Sequence, residues 1–256
     1  MHPNDNDPLN RAQTPSNQVS AGTSAASSTV RGEAFVATAP REGFLTGSFV
    51  WMFVGVLLSA AAAAFLMGNE QLQQQVVELW LPLLIGQLVL VFAISFLIQR
   101  ISPILALGLF FIYALSMGLV LGVIVLAYVD AIGLSGVVSA FAGSAAIFGG
   151  AALYGVVTKR DLTSLGGILF MGLLGLIVVM FLQIFFFADS SMASLLIGIL
   201  GVVIFTGLTA WDVQRLKNGA IPNINKDSAT VLGALTLYLD FVNLFLFMLR
   251  IFGSSR

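Results

Sequence analysis

Two aspartates lie within long apolar stretches of this sequence, where a charged side chain is costly. Asp240 lies about 11 residues into the last stretch, or ~16 Å from its start at the helical rise of 1.5 Å per residue. Asp212 lies in the preceding stretch, roughly 6 Å from its end at Leu216 by the same rise. An acid at the centre of a membrane-spanning helix costs about 2.5–3.5 kcal/mol, which makes such a residue a candidate functional site.

The two carboxyl groups fall in the same half of two adjacent, antiparallel stretches. Their depths differ by roughly 10 Å, a gap that helix tilt can narrow or widen. Two carboxyl groups that meet would share a proton and titrate as a coupled pair. We therefore interpret Asp212 and Asp240 as a candidate proton sensor. Arg100, at the end of the second stretch, is placed to form an ion pair with Asp212 that protonation would break, changing the packing of the bundle.

Structural alternatives exist for each of these residues. Asp212 would equally be satisfied by Arg215 or Lys217 on its own helix. Arg100 has the position of an ordinary anchor on the positively charged side of a membrane. Even a purely structural Asp240 needs polar partners, and the nearby candidates are Thr236, Tyr238 and Asn243.

The composition indicates a membrane protein. Of the 256 residues 58% are hydrophobic and 9% are charged, and the mean hydropathy is +1.00. Soluble domains carry about 25% charged residues, so lipid must cover this surface. The chain has no cysteine and one histidine, His2, which argues against thiol chemistry, histidine catalysis and thiolate or histidine metal sites. No cofactor or nucleic-acid partner is expected.

Seven stretches are long enough to cross ~30 Å of hydrocarbon as helices. They are continuously apolar, whereas the strands of a membrane barrel alternate in polarity. The predicted spans are Leu45–Met67, Leu79–Ile98, Pro103–Tyr128, Leu134–Val157, Leu162–Phe187, Ala193–Leu216 and Ala229–Phe252. The predicted fold is all-α, with a seven-helix membrane domain over residues 44–253. Residues 1–43 are polar, lack an apolar period and are predicted to be a disordered cytosolic tail.

The basic residues orient these spans, because Lys and Arg accumulate on the cytoplasmic side. With the amino terminus inside, the inner segments hold Arg11, Arg31, Arg41, Arg100, Lys159, Arg160, Arg215, Lys217 and Lys226. The outer loops hold Glu70, Glu78, Asp130 and Asp189 and no basic residue. Arg250 and Arg256 depart from the rule if the last stretch crosses fully. The alternative is a last segment that re-enters and returns to the inside.

Small residues and loop residues have simple structural interpretations. The pairs Gly43/Gly47 and Gly118/Gly122, together with Gly198 and Gly201, are expected to let helices approach closely. Gly149–Gly150 and Gly166–Gly167 do not form a phosphate-binding loop, because no Walker lysine follows them. Asp161 precedes a span and is expected to act as an N-cap.

Three segments resemble motifs of the Bax inhibitor 1/YccA family, also called the transmembrane Bax inhibitor motif family. The run from Leu237 to Phe245, with Asp240 at its centre, looks like the family's carboxyl-terminal signature. Trp211-Asp212-Val213-Gln214 is similar to its tyrosine-aspartate motif, with tryptophan in place of tyrosine. The loop Lys159–Leu162, together with Gly166–Gly167, resembles the one before its fifth span. The resemblance covers about Phe44 to Gly253.

This resemblance implies more than the composition does. It implies a seven-helix bundle with the last helix central, which would keep Asp240 away from lipid. Similar bacterial members are pH-sensitive calcium leak channels with a paired-aspartate sensor, matched here by Asp212 and Asp240. Arg100 matches, by position alone, an arginine that latches their closed state. Other relatives modulate cell death and calcium stores or restrain a membrane-bound protease.

The leading functional hypothesis is a passive cation pathway, most simply for Ca²⁺, with weak, hydrated binding at Asp212 and Asp240. A regulator that binds a membrane-bound protease or another membrane protein is the alternative. An intramembrane aspartyl protease is disfavoured, because Tyr238-Leu239-Asp240 lacks the glycines of the Gly-x-Gly-Asp motif. We expect a non-enzymatic protein of a bacterial inner membrane. The sequence leaves the ion and the oligomeric state open.

Overall fold

The computed structural model describes residues 43–186, 190–219 and 226–254, and the elements in these ranges are all helices. The predicted tail lies outside the described residues. The helices are α1 (Phe44–Met67), α2 (Glu70–Glu78), α3 (Trp80–Leu97), α4 (Pro103–Val157), α5 (Thr163–Phe186), α6 (Ser191–Lys217) and α7 (Lys226–Ser254). Six of these helices are long and apolar enough to cross a membrane.

The longest helix accounts for two of the seven predicted crossings. α4 has 55 residues, which would extend for about 82 Å if straight. It is broken at Gly133, whose φ of 77° and ψ of 162° suit glycine because a Cβ would clash there. Residues 103–132 and 134–157 therefore form two segments on either side of a corner. With α1, α3, α5, α6 and α7 they give seven crossings, as the sequence predicted.

A short amphipathic helix was missed by the sequence analysis. α2 lies in the predicted first outer connection and has nine residues, of which Val76 is buried. The Asn69 side chain caps it by accepting a hydrogen bond from the Leu72 amide at 3.0 Å. Gln73 Nε2 donates to the carbonyl groups of Leu66 and Met67 at the end of α1. The segment is too short and too polar for a hydropathy pattern to reveal it.

α7 lies at the centre of the bundle and packs against α1, α4 and α6. Two thirds of its apolar window, 67%, is buried, whereas the figure for α3 and α5 is 11%. The helix continues for 29 residues, or about 43 Å, so it crosses fully and the re-entrant alternative is wrong. The central position of the last helix is confirmed.

The peripheral helices expose apolar side chains to the surrounding lipid. Phe96 on α3 and Phe185 on α5 are 75% and 77% exposed. In water such surfaces would drive association, but in a bilayer they contact acyl chains. The protein is therefore a multi-pass integral membrane protein.

Small residues bring the helices together as expected. A Cβ at Gly118 would lie 2.7 Å from the Ser59 Cα, and one at Gly122 would lie 3.1 Å from the Ala63 Cα. Both contacts join α1 to the first segment of α4. Gly47 lies against Thr230, Gly198 against Ile251 and Gly201 against Phe247. Gly43 instead precedes α1 with a φ of 85°.

Candidate functional site

The two intramembrane aspartates come together between α6 and α7. Asp212 and Asp240 are each 5% exposed. Asp240 interacts electrostatically with Asp212 and with Arg215, both on α6. Two buried carboxyl groups and one guanidinium thus form a cluster between the inner end of α6 and the middle of α7, which we call the acid cluster (Asp212, Arg215 and Asp240).

Arg215 is the basic partner of Asp212. Its Nη2 lies 3.3 Å from Asp212 Oδ1, one helical turn away. Arg100, the other possible partner of Asp212 in the sequence, has an exposed side chain and forms no ion pair within the described residues. The reason is the position of α3, which packs mainly against α4 at the edge of the bundle. The Arg100–Asp212 pair is not formed in this structure, and the latch role of Arg100 stays a prediction.

Trp211 holds Arg215 in place. The guanidinium carbon of Arg215 lies 4.8 Å from the centre of the Trp211 ring, a cation–π contact. The other neighbour of the indole is Gly166 on α5, where a Cβ would lie 2.7 Å from the ring atoms Cζ2 and Nε1. Gly166 therefore makes room for Trp211. Gly166 and Trp211 both lie in motifs that carried the family resemblance, but their contact cannot be read from the sequence, because they lie on different helices.

The inner end of α6 also fixes the loop between α4 and α5. Gln214 Oε1 accepts from the Leu162 amide at 2.8 Å, and its Nε2 donates to the Arg160 carbonyl at 2.7 Å. Lys217 Nζ donates to the Val156 carbonyl at 2.6 Å. Gln214 and Lys217, within one turn of α6, thus link the helix that carries Asp212 and Arg215 to α4 and to the loop before α5.

Asp161 in this loop supports the start of α5. Its Oδ1 accepts from the Thr163 amide at 2.9 Å and from the Thr163 hydroxyl at 2.6 Å. The Thr163 hydroxyl, and next its amide, hold the pKa of Asp161 below its ordinary value. The residue is exposed and ionised at neutral pH, and its local bonding to the first turn is of the kind expected for a capping residue.

The polar neighbours of Asp240 bond elsewhere. Tyr238 projects from the opposite side of α7, where its hydroxyl lies 2.6 Å from Ser59 Oγ. Thr236 and Asn243 donate to carbonyl groups of their own helix, those of Leu232 and Leu239. Within the described residues, Asp240 Oδ2 and Asp212 Oδ1 are buried without a hydrogen-bond partner.

Two acids and one guanidinium leave the acid cluster open to a proton or a weakly held cation. Ca²⁺ takes six to eight oxygen ligands. In the described ranges no three Asp, Glu, His or Cys side chains are grouped so that they could hold a metal ion. The acid cluster therefore suits proton exchange or a passing hydrated cation and not a tightly bound metal.

Comparison with known proteins identifies the family of this chain. The sequence profile described as "Inhibitor of apoptosis-promoting Bax1" matches residues 41–256. The chain belongs to the Bax1-I family. It is 36% identical to the inner membrane protein YbhL of Escherichia coli over 85% of this chain and 95% of that protein. A protein of Deinococcus radiodurans is 42% identical over 83% of this chain and 90% of its own length. The family resemblance stated from the sequence is thus confirmed.

In this Bax1-I family member an apolar layer lies between the acid cluster and the outer ends of the helices. Phe247 packs into the space left by Gly201 on α6. Its ring centroid lies 5.7 Å from that of Phe205. Phe247 is seven residues beyond Asp240, or about 10 Å further toward the outside. Phe205 is separated from Asp212 by the same seven residues, so the two rings lie at one level.

Arg250 lies beyond this layer at the outer end of α7. Its Nε donates to the carbonyl and the hydroxyl oxygen of Ser194 at 3.2 and 3.0 Å, and its Nη2 contacts Gln183 Oε1. Arg250 thus connects the outer ends of α5, α6 and α7. Its departure from the charge rule is accounted for, because the side chain is partly buried within the bundle instead of anchoring a loop.

Proposed function

We propose that this Bax1-I family member is a non-enzymatic cation leak pathway, most simply for Ca²⁺, that is gated by protonation of Asp212 and Asp240. The observation that carries the proposal is a pair of buried carboxylates that face a single guanidinium. Asp240 Oδ2 has no hydrogen-bond partner among the described residues, and Asp212 Oδ1 has only its ion pair with Arg215 at 3.3 Å. A buried polar atom without a partner costs about 1–3 kcal/mol, and its retention at Asp240 beside a second buried acid supports a functional role for the pair.

The charge balance of the acid cluster supports gating by protons. Asp212 and Asp240 face one guanidinium, that of Arg215. With both acids ionised, attraction to Arg215 holds α6 and α7 together. Protonation removes that attraction, and the seam between the helices loosens. Cation flux is therefore expected to rise as the pH falls through the titration of the pair.

The apolar layer supports a closed pathway in this structure. Phe205 and Phe247 close the α6–α7 seam outside the acid cluster. A narrow apolar constriction blocks ions by excluding water. Beyond it, Glu70, Glu78 and Asp130 are exposed and give the outer surface an acidic character that attracts cations.

The proposal also includes a location in the cell. Its Escherichia coli relative is described as an inner membrane protein, and we assign this chain to a bacterial inner membrane with its amino terminus in the cytoplasm. The basic inner loops and acidic outer loops support that orientation.

The proposal is tested by calcium flux into liposomes that contain the purified chain and a calcium dye, measured from pH 8 to pH 6. We expect wild-type flux to rise with acidity, and Asp240→Asn and Asp212→Asn to flatten this response, because an amide cannot titrate. Asp161→Asn is the matched control, since it removes an exposed acid from the same inner end. Unchanged flux and pH response in Asp240→Asn would overturn the proposal.

The same assay separates the two arginines. Arg215→Gln removes the observed partner of Asp212 and the positive charge that attracts Asp240 across the seam, and we expect it to raise flux at pH 8, where that attraction holds α6 and α7 together. Arg100→Gln is expected to have a smaller effect, because its side chain is exposed in this structure. The opposite ranking would assign the latch to Arg100, in a state with a different arrangement of α3.

A further inference from the structure

The outer end of the bundle holds a positive charge that no described acid neutralises. Arg250 is partly buried, and its described partners, Ser194 and Gln183, are neutral. Neutral acceptors orient a guanidinium without cancelling its charge. Arg250 therefore places a fixed positive potential at the outer end of the bundle.

A polar cavity of about 260 Å³ opens beside this side chain, at the outer corner of α4 near Gly133 and the outer ends of α6 and α7. Its polar lining consists of Tyr128, Ser190, Ser191, Ser194, Arg250 and Ser254. We call it the Arg250 cavity. It is separate from the acid cluster, which lies on the far side of Phe247, and the proposed ion pathway does not use its hydroxyl groups.

The Arg250 cavity has hydrogen-bond donors that no described acceptor uses. Ser190 Oγ accepts from the Ala193 amide and Ser194 Oγ accepts from Arg250 Nε, and neither hydroxyl donates to another of the described residues. The guanidinium has further N–H groups beyond those that bind Ser194 and Gln183. The first turn of α6 adds unpaired amides and the positive end of the helix dipole.

A guanidinium with convergent hydroxyl donors is the chemistry that recognises a phosphate group. Arg250 lies four residues before the end of α7, about 6 Å along the axis, which places it where the apolar core gives way to lipid headgroups. We propose that the Arg250 cavity binds an anionic phosphate group, carried either by a phospholipid headgroup or by free phosphate.

The test is calorimetric titration of the purified full chain in a non-ionic detergent. The ligands are dioctanoyl phosphatidylglycerol, dioctanoylglycerol as its phosphate-free match, and inorganic phosphate. We expect the phosphatidylglycerol to bind and the dioctanoylglycerol not to bind. Binding of inorganic phosphate as well would identify a general phosphate site, whereas its failure to bind would identify a lipid headgroup site.

Variants then locate the binding. Arg250→Gln is expected to weaken phosphatidylglycerol binding about tenfold or more, as the loss of a charge-assisted contact implies, and Arg250→Lys is expected to weaken it less. Arg256→Gln makes the same charge change nearby in the sequence and is the control. If Arg250→Gln does not fold, Ser191→Ala with Ser254→Ala probes the cavity lining without removing Ser194 or Gln183, the described partners of the Arg250 guanidinium.

Three results would overturn the proposal. The first is equal binding of phosphatidylglycerol and dioctanoylglycerol, and the second is equal loss of binding in Arg250→Gln and Arg256→Gln. The third is binding that appears only in Asp189→Asn, since the natural occupant would then be a carboxylate of the chain itself. None of these results depends on cation flux, so failure of the phosphate proposal would not affect the proposed leak pathway, and the reverse also holds.

Discussion

Trp211 determines the position of the charge that faces the two buried acids. Its ring lies between Gly166 on α5 and the guanidinium of Arg215, and Arg215 reaches Asp212 from there. The family resemblance pairs this tryptophan with a tyrosine. An aromatic face is what a guanidinium needs for a cation–π contact, and either side chain supplies one.

The space at Gly166 is therefore a requirement of the acid cluster. We expect Gly166→Ala to destabilise the protein by about 1–3 kcal/mol, because the new Cβ collides with the half-buried indole ring of Trp211. We also expect the displaced Trp211 to move Arg215 and so raise leak at pH 8. Thermal unfolding in detergent and the liposome assay measure the two effects.

Gly167 provides the control for that prediction, because a Cβ there meets no atom within 4 Å. Gly167→Ala is expected to be neutral or to stabilise α5 by up to about 1 kcal/mol, since alanine is the better helix former. Equal destabilisation by both changes would show that the helix tolerates no side chain in this turn and that Trp211 is not the cause.

Asp161, the acid used as a control, is not expected to titrate near neutral pH. Bonds from Thr163 lower its pKa below the ordinary value. Its contribution to stability is thus present above the unfolded pKa and is lost only as the pH falls through the lower folded value. That range is well below neutral, so a response between pH 6 and pH 8 must come from other groups.

Among the elements, α7 has two faces with different surroundings. One face carries Asp240 and Phe247 against α6, and the other carries Tyr238, Phe241 and Phe245. The second face borders an apolar cavity of about 220 Å³ between α1, α4 and α7. The proposed pathway runs along the first face. On that face the acid cluster lies on the inner side of the Phe205–Phe247 layer, and Arg250 lies on its outer side.

Phe247 and Phe245 test this assignment directly. Each is 7% exposed and each loses the same volume on truncation to alanine. We expect Phe247→Ala to raise basal calcium flux, because it opens the apolar layer, and Phe245→Ala to leave flux near the wild-type value. Liposome flux at pH 8, with thermal unfolding to match the stability loss, makes the comparison.

The reverse result would be equally informative. If Phe245→Ala raises flux and Phe247→Ala does not, ions pass through the apolar cavity beside Phe141, which packs on Phe245 at 5.7 Å between ring centroids. The α6–α7 seam would then be a sensor without being the pathway.

At the scale of the whole molecule, seven crossings place the two chain ends on opposite sides of the membrane. The chain lacks cysteine, so single cysteines can report their side without background. In intact spheroplasts we expect a membrane-impermeant maleimide to label Glu70→Cys and Arg256→Cys at once. Lys159→Cys is expected to react only after permeabilisation, and protection of Arg256→Cys beside labelling of Glu70→Cys would contradict the full crossing of α7.

Much of the architecture could be predicted from the sequence. Each side chain has its own free energy of transfer from water to lipid, and the sum over a stretch shows whether that stretch can span the membrane. The predicted spans agree with the helix ends to within four residues. Gly133 falls between the third and fourth predicted spans, although the helix assignment runs through it. α2 was missed because a nine-residue amphipathic helix gains its stability from Val76 packing on the bundle and not from its own hydropathy.

The candidate site could also be predicted only in part from the sequence. The sequence alone determined that Asp212 and Asp240 lie deep in successive spans, because burial of a charge is set by the apolar residues around it. Only the tertiary structure decided that Arg215, and not Arg100, pairs with Asp212, that Tyr238 turns away from Asp240, and that Gly166 makes room for Trp211. Each of these contacts depends on which helices are neighbours and how each is rotated, and neither property is encoded in the hydropathy of a single span.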